Sequence, residues 1–226
     1  MPEHAPSTES TPGLRGLVVD WGGVLTSDLQ TSMAAWADAD DIDLAHFRDV
    51  MRQWLGTSGG QEARWNPVHA LERGELEVPE FEGRLAAALQ TQSGVPVPAE
   101  GLLQRMFDRF EHAPDMVGLV HRAHTAGLRT ALLSNSWGND YPREGWADMF
   151  DVVVISGEVG MRKPEPRIFH HTLDLLGLPP EACVFVDDLA PNVRAAADLG
   201  MVGVLHTSYA ATAVELEALF DLPLAT

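Results

Sequence analysis

The sequence predicts an α/β fold: a doubly wound, Rossmann-like parallel sheet with an α-helical cap inserted after the first strand. Three observations predict it. Short apolar runs rich in β-branched residues alternate with stretches of helical periodicity. Those runs do not alternate apolar with polar, as strands covered on both faces do not. And from about Ser27 to His112 no strand pattern occurs at all.

Taken in order, residues 1–13 (MPEHAPSTESTPG) read as a disordered leader with no basic start or apolar stretch, hence not a secretory signal. Leu17–Asp20 is the first strand. The insert, residues 27–112, carries apolar residues at helical spacing, as in Phe47, Val50, Met51 and Trp54 or Phe81, Leu85, Ala88 and Leu89. Breaks at Gly56–Gly60, Asn66–Pro67, Pro79 and Gly94–Pro98 divide it into four or five helices. Beyond it, strands Thr130–Ser134, Val152–Ile155 and Cys183–Asp188, with a weaker Gly203–His206, alternate with helical patterns Asp115–Thr125, Pro166–Leu176 and Pro191–Leu199. Each helical pattern runs into a glycine that can stop it. The α/β part is thus 14–26 plus 113–226, with hinges near Thr26–Leu29 and His112–Pro114.

Composition narrows the function. Of 226 residues, 45% are hydrophobic and 21% charged, which is ordinary globular usage. No apolar run nears the ~18 residues of a membrane span. The single cysteine, Cys183, forbids an internal disulfide and suits a buried thiol in a cytoplasmic protein. The net charge of −18 argues against nucleic acid or membrane partners. It also means that an anionic ligand needs a local positive focus. Fourteen of the 15 basic residues are Arg; the one Lys is Lys163.

Ligands of parallel α/β sheets bind beyond the carboxyl ends of the strands. There the chain places Asp20, Trp21, Gly22 and Gly23; Ser134 and Asn135; and Asp187 and Asp188, while Lys163 follows the run Val152–Ile155. Clustered carboxylates are commonly reconciled by a divalent cation, and Mg²⁺ suits an oxygen-lined site completed by phosphate. A carboxylate can also act as a nucleophile, with Lys and Ser holding the phosphoryl oxygens.

Four ordered segments, VVDWGGVLT, LLSNS, GMRKPEPRIF and VFVDDLAPN, resemble the four motifs of the haloacid dehalogenase superfamily over Leu14–Leu25 and Pro114–Leu205. The insert segment ALERGELEVPEFEGRL is similar to caps in the branch holding the phosphatase domain of soluble epoxide hydrolases and bacterial sugar-phosphate phosphatases. The resemblance implies that Asp20 is the nucleophile of an Mg²⁺-dependent phosphatase of small, sugar-phosphate-like monoesters. It implies that Ser134 binds phosphate, that Lys163 stabilises Asp20 and the phosphoryl group, and that Asn135 orients the substrate; Trp21, on a loop near the predicted pocket, is a further candidate substrate contact. It implies that Asp20, Asp187 and the Gly22 carbonyl hold the metal, with Asp188 near it, often through water, and that Asn192 braces the last loop.

Gly22 departs from the family pattern, which places a second Asp there as general acid and base. Losing such a group costs about 10²–10⁴ in rate. His69 and Glu72 are candidate donors from the cap, with neither assigned the role. The departure argues against a phosphomutase, and a cap without lysine argues against a Schiff-base phosphonate hydrolase. Two alternatives stay open: a catalytically weak binding or regulatory protein, and a 2-haloacid dehalogenase, although the Asp187–Asp188 pair speaks against the latter. Trp36, Trp54 and Trp65 read as packing residues of the cap. The expected assembly is a monomer or homodimer.

Overall fold

A computed structural model describes residues 13–55, 66–138 and 140–225. The break at Gly56–Gly60, Trp65 and all of the expected leader but Gly13 lie outside the described residues. Five strands, β1 (Gly16–Val19), β2 (Arg129–Ser134), β3 (Val152–Ile155), β4 (Cys183–Asp187) and β5 (Val202–Leu205), form one parallel sheet in the order β3-β2-β1-β4-β5. The unalternating apolar runs have a direct cause. Leu17, Val19, Leu132, Val184 and Val186 pack into a core on one face, while Val18, Ala131, Leu133 and Phe185 pack into another.

Each face is covered by helices. The first carries α6 (Pro114–Thr125) through Met116, Leu119, Val120 and Ala123, and α10 (Tyr209–Phe220) through Ala213 and Leu216. The second carries α8 (Pro166–Leu176) through Ile168, Phe169, Leu173 and Leu176, and α9 (Ala190–Asp198) through Ala196. Glycine stops α8: Gly177 takes φ 67°, a left-handed value that a side chain disfavours. A short helix, α7 (Ser156–Val159), follows β3. The weak fifth run is strand β5, one residue earlier than read, and α10 is a further helix.

Between β1 and α6 the chain forms α1 (Leu29–Ala39), α2 (Leu44–Leu55), α3 (Pro67–Glu72), α4 (Val78–Ala88) and α5 (Leu102–Phe107). Their buried side chains, among them Trp36, Phe47, Phe81, Leu85 and Met106, make an apolar cluster of their own. Asp28 caps α1, accepting from the backbone N–H of Gln30 and Thr31 at 3.0 and 3.2 Å. Asn66 caps α3 in the same way, and Pro67 opens it. Pro79 is not a break between helices but part of the first turn of α4, where its missing N–H has no intrahelical partner to lose. The two connections run side by side: Thr26 bridges His112 antiparallel, Ser27 N–H donates to Glu111 O at 2.7 Å, and Ala113 N–H to Leu25 O at 2.9 Å. Among the described residues no helix is long and apolar enough to cross a membrane.

Candidate active site

The sheet order decides where the site forms. β1 lies between β2 and β4, so Asp20, Ser134 and Asp187 leave three neighbouring strands at the same sheet edge. Backbone pairing continues one residue past β1, with Asp20 N–H donating to Val186 O at 2.9 Å, and this fixes the Asp20 side chain at the rim. The chain then turns sharply through Gly23 at φ 73°. A Cβ on Gly23 would lie 2.4 Å from Asp188 Oδ2, so this glycine is required by both conformation and space.

Lys163 is 1% exposed, with its ammonium between two carboxylates: Nζ donates to Asp20 Oδ1 at 2.8 Å and to Asp187 Oδ2 at 2.7 Å. Burial disfavours the charge, but Asp187 and Asp20 outweigh it and hold the pKa above the ordinary lysine value. Asn135 seats this lysine from 28 positions away. Its Nδ2 donates to Lys163 O at 3.0 Å and its Oδ1 accepts from Lys163 N–H at 2.8 Å. That clamp occupies the amide oxygen and one amide hydrogen, so Asn135, expected to meet substrate, is first of all a support for Lys163.

Asp20 Oδ1 accepts from Lys163 and from Trp21 N–H at 2.7 Å, whereas Oδ2 accepts no hydrogen bond among the described residues. Burial pushes the Asp20 carboxyl up to about 8, with Lys163 pulling it down and Asp187 and Asp188 adding to the rise. Asp188 is raised to about 6, by burial and then by Asp187. Single oxygens of Asp20, Asp187 and Asp188 lie within 4.8 Å of one another. Such crowding fits a hard divalent cation with oxygen ligands. The two aspartates of the pair differ. Asp187 is saturated, accepting from Lys163, from Leu189 N–H at 2.8 Å and from Asn192 Nδ2 at 3.0 and 3.1 Å. Asp188 Oδ1 is buried without a partner. An orphaned carboxylate oxygen costs free energy unless something compensates it.

A cavity of about 240 Å³ opens above these groups and is lined by Asp20, Trp21, Gly22, Ser134, Asn135, Lys163 and Asp188. Asp187 and Gly23 are not in its lining; the first acts through Lys163 and the second through the turn. Trp21 stacks on Phe110, with centroids 6.2 Å apart, and meets the edge of Tyr141 at 5.1 Å. Two polar lining residues, Tyr141 and Arg162, were given no role from the sequence. The Tyr141 hydroxyl shares a hydrogen bond with Ser134 Oγ at 2.9 Å, and burial pushes its pKa up to about 12, so it remains a neutral phenol. Arg162 pairs with Glu72, which also accepts from Trp137 Nε1 at 3.2 Å. Burial raises the Glu72 pKa and Arg162 opposes the rise. Of the two candidate donors, Glu72 lines the cavity and His69 does not. Cys183, as expected, is buried, its thiol pushed up to about 11 by burial and so inert.

A family model described as haloacid dehalogenase-like hydrolase matches residues 14–200. Bifunctional epoxide hydrolase 2 of Sus scrofa is 29% identical over 208 residues, covering 85% of this chain and 36% of that protein. A phosphoserine phosphatase of Thermus thermophilus is 37% identical over 109 residues, covering 45% of this chain and 43% of the other. The chain spans between 18% and 36% of the length of the mammalian relatives it matches. In fold it is similar to a HAD family enzyme of Bacteroides thetaiotaomicron crystallised with magnesium and inorganic phosphate, with a TM-score of 0.62 at 21% identity, covering 86% of this chain and 95% of that one.

Proposed function

Because the chain belongs to the haloacid dehalogenase-like hydrolases, we propose that it is a phosphatase of small phosphate monoesters with Asp20 as nucleophile. One observation carries the reading: the only lysine of a strongly acidic chain is buried between Asp20 and Asp187 at the floor of a cavity. Similarity to a phosphoserine phosphatase over 45% of the chain supports it.

In this reading the free Oδ2 of Asp20 attacks phosphorus, the ester P–O bond breaks, and the alcohol leaves with a proton taken from its surroundings. Water then attacks phosphorus of the aspartyl-phosphate, returning the carboxylate and inorganic phosphate. Lys163 opposes the rise in the Asp20 pKa that burial causes and aims its carboxylate, and its remaining N–H, with the Ser134 hydroxyl, faces the phosphoryl oxygens as negative charge gathers there. Mg²⁺, when bound, supplies the positive charge that the crowded carboxylates and the phosphate share. Asp20 and Asp188 are its side-chain ligands in our reading, together with the Gly22 carbonyl that the family resemblance implies. The saturated Asp187 positions Lys163 in this reading, whereas both aspartates were first expected at the metal.

The test is phosphate release from p-nitrophenyl phosphate, acetyl phosphate and a panel of phosphate monoesters with Mg²⁺. Asp20→Asn and EDTA should each abolish it. Release that persists in the Asn variant would overturn the reading. Gly22 favours a second one, a binding protein with little turnover, which predicts saturable phosphate-ester binding without release. Metal-independent halide release would instead indicate a dehalogenase.

A further inference from the structure

The cavity above Asp20 has two chemically different halves. Its floor, from the sheet and the loops that follow it, holds the charged and polar groups already described. Its roof comes from the helical insert, which contributes Leu29, Met33, Leu55, Val68, Met106 and Phe107. The insert adds one polar residue, Glu72, and its carboxylate is engaged by Arg162 and by Trp137 Nε1. Among the described residues, the insert therefore presents no uncommitted hydrogen-bonding side chain to the space where the alcohol part of an ester must lie. Phe110 and Trp21 close the wall between roof and floor with aromatic surface.

A polyhydroxylated alcohol brought here would exchange hydrogen bonds with water for contact with hydrocarbon, which disfavours it. An apolar one gains with every group buried. We propose that the site takes phosphate monoesters of apolar alcohols, alkyl or aryl, in preference to sugar phosphates. Met33 and Met106, unbranched and polarisable, suit a roof that adapts to chains of differing shape. The inference rests on the phosphatase reading for the orientation of the ligand, phosphate to the floor and alcohol to the roof. It departs from the sugar-phosphate-like substrate that sequence resemblance implies.

Binding tests it without requiring turnover. Methyl-, butyl- and hexylphosphonate, which have no ester bond to cleave, are titrated calorimetrically into the full chain with Mg²⁺, alongside a glucose-derived phosphonate. Affinity should rise about fourfold per methylene at first, and the sugar phosphonate should bind no better than methylphosphonate. Met33→Gln should flatten the rise with chain length while leaving inorganic phosphate binding unchanged. Affinity that does not depend on chain length, or a sugar phosphonate that binds more tightly than hexylphosphonate, would overturn the proposal. Hydrolysis of p-nitrophenyl phosphate separates the two readings. A chain-length rise without hydrolysis sustains the apolar site and removes the phosphatase; hydrolysis without the rise does the reverse.

Discussion

Gly22 is the residue at which the motif and the chemistry part. A Cβ there would meet only Leu29 Cδ2 at 3.7 Å, an ordinary van der Waals contact, and no left-handed backbone angle stands in the way. A Cβ at this position therefore has room, so neither backbone conformation nor contact at that atom imposes glycine. Gly22→Asp is expected to raise kcat on alkyl phosphates about tenfold or more, since a positioned acid contributes about 10²–10⁴. On p-nitrophenyl phosphate, whose phenolate leaves without help, kcat should barely change. Equal responses from both substrates would show that proton transfer to the leaving group is not what limits turnover. Asp20, Ser134 and Asp187 were legible because each ends an apolar run, where a parallel sheet presents its ligands. Tyr141 and Arg162 were not, because their partners, Ser134 and Glu72, are chosen by the tertiary fold and not by neighbourhood in sequence. Which of Asp187 and Asp188 is saturated was equally hidden, since only the packed site shows it.

Among the elements, α3 does most to join the insert to the sheet. Glu72 at its end pairs with Arg162, and Arg73 just beyond donates to Glu165 at 3.2 Å. His69 on the same helix is set between these charges. Burial, then Arg162 and Arg73, lower its pKa to about 4 from an ordinary 6.5. Between those values the unfolded chain binds a proton that the folded chain refuses. The His69 contribution to stability is thus whole above pH 6.5 and is lost as the pH falls toward 4. The melting temperature should fall across that window, and His69→Gln should make the fall shallower. An unchanged slope in the variant would mean that His69 titrates normally. The ring is partly exposed, so solvent screening keeps the effect modest. Helix α8 was legible to the residue because period, proline start and glycine stop agree, and β3 because its four residues are all β-branched and apolar. The six-residue α3 holds too few turns to show a period, and its place was visible only as the Asn66–Pro67 break that turned out to start it.

For the whole molecule the dominant fact is charge: 33 acidic against 15 basic residues, a net −18. Composition stated the difficulty of drawing an anion to such a surface, but not its solution, which needs the packed geometry of Lys163 and the carboxylates. The positive focus acts over the 2.7–2.8 Å of direct contact, whereas the acidic surface acts over the Debye length. Raising the ionic strength from about 10 mM to about 150 mM shortens that length from roughly 30 Å to roughly 8 Å. Repulsion of an approaching phosphate ester is then screened, while the buried contacts at the floor are not. At a fixed saturating Mg²⁺ concentration, kcat/KM should therefore increase with added salt and kcat should hold nearly constant. Proteins that steer anions through a positive funnel show the opposite dependence. A kcat/KM that falls with salt would mean that the field at the cavity mouth is already positive beyond a Debye length, and that Lys163 and a bound cation dominate the approach as well as the chemistry.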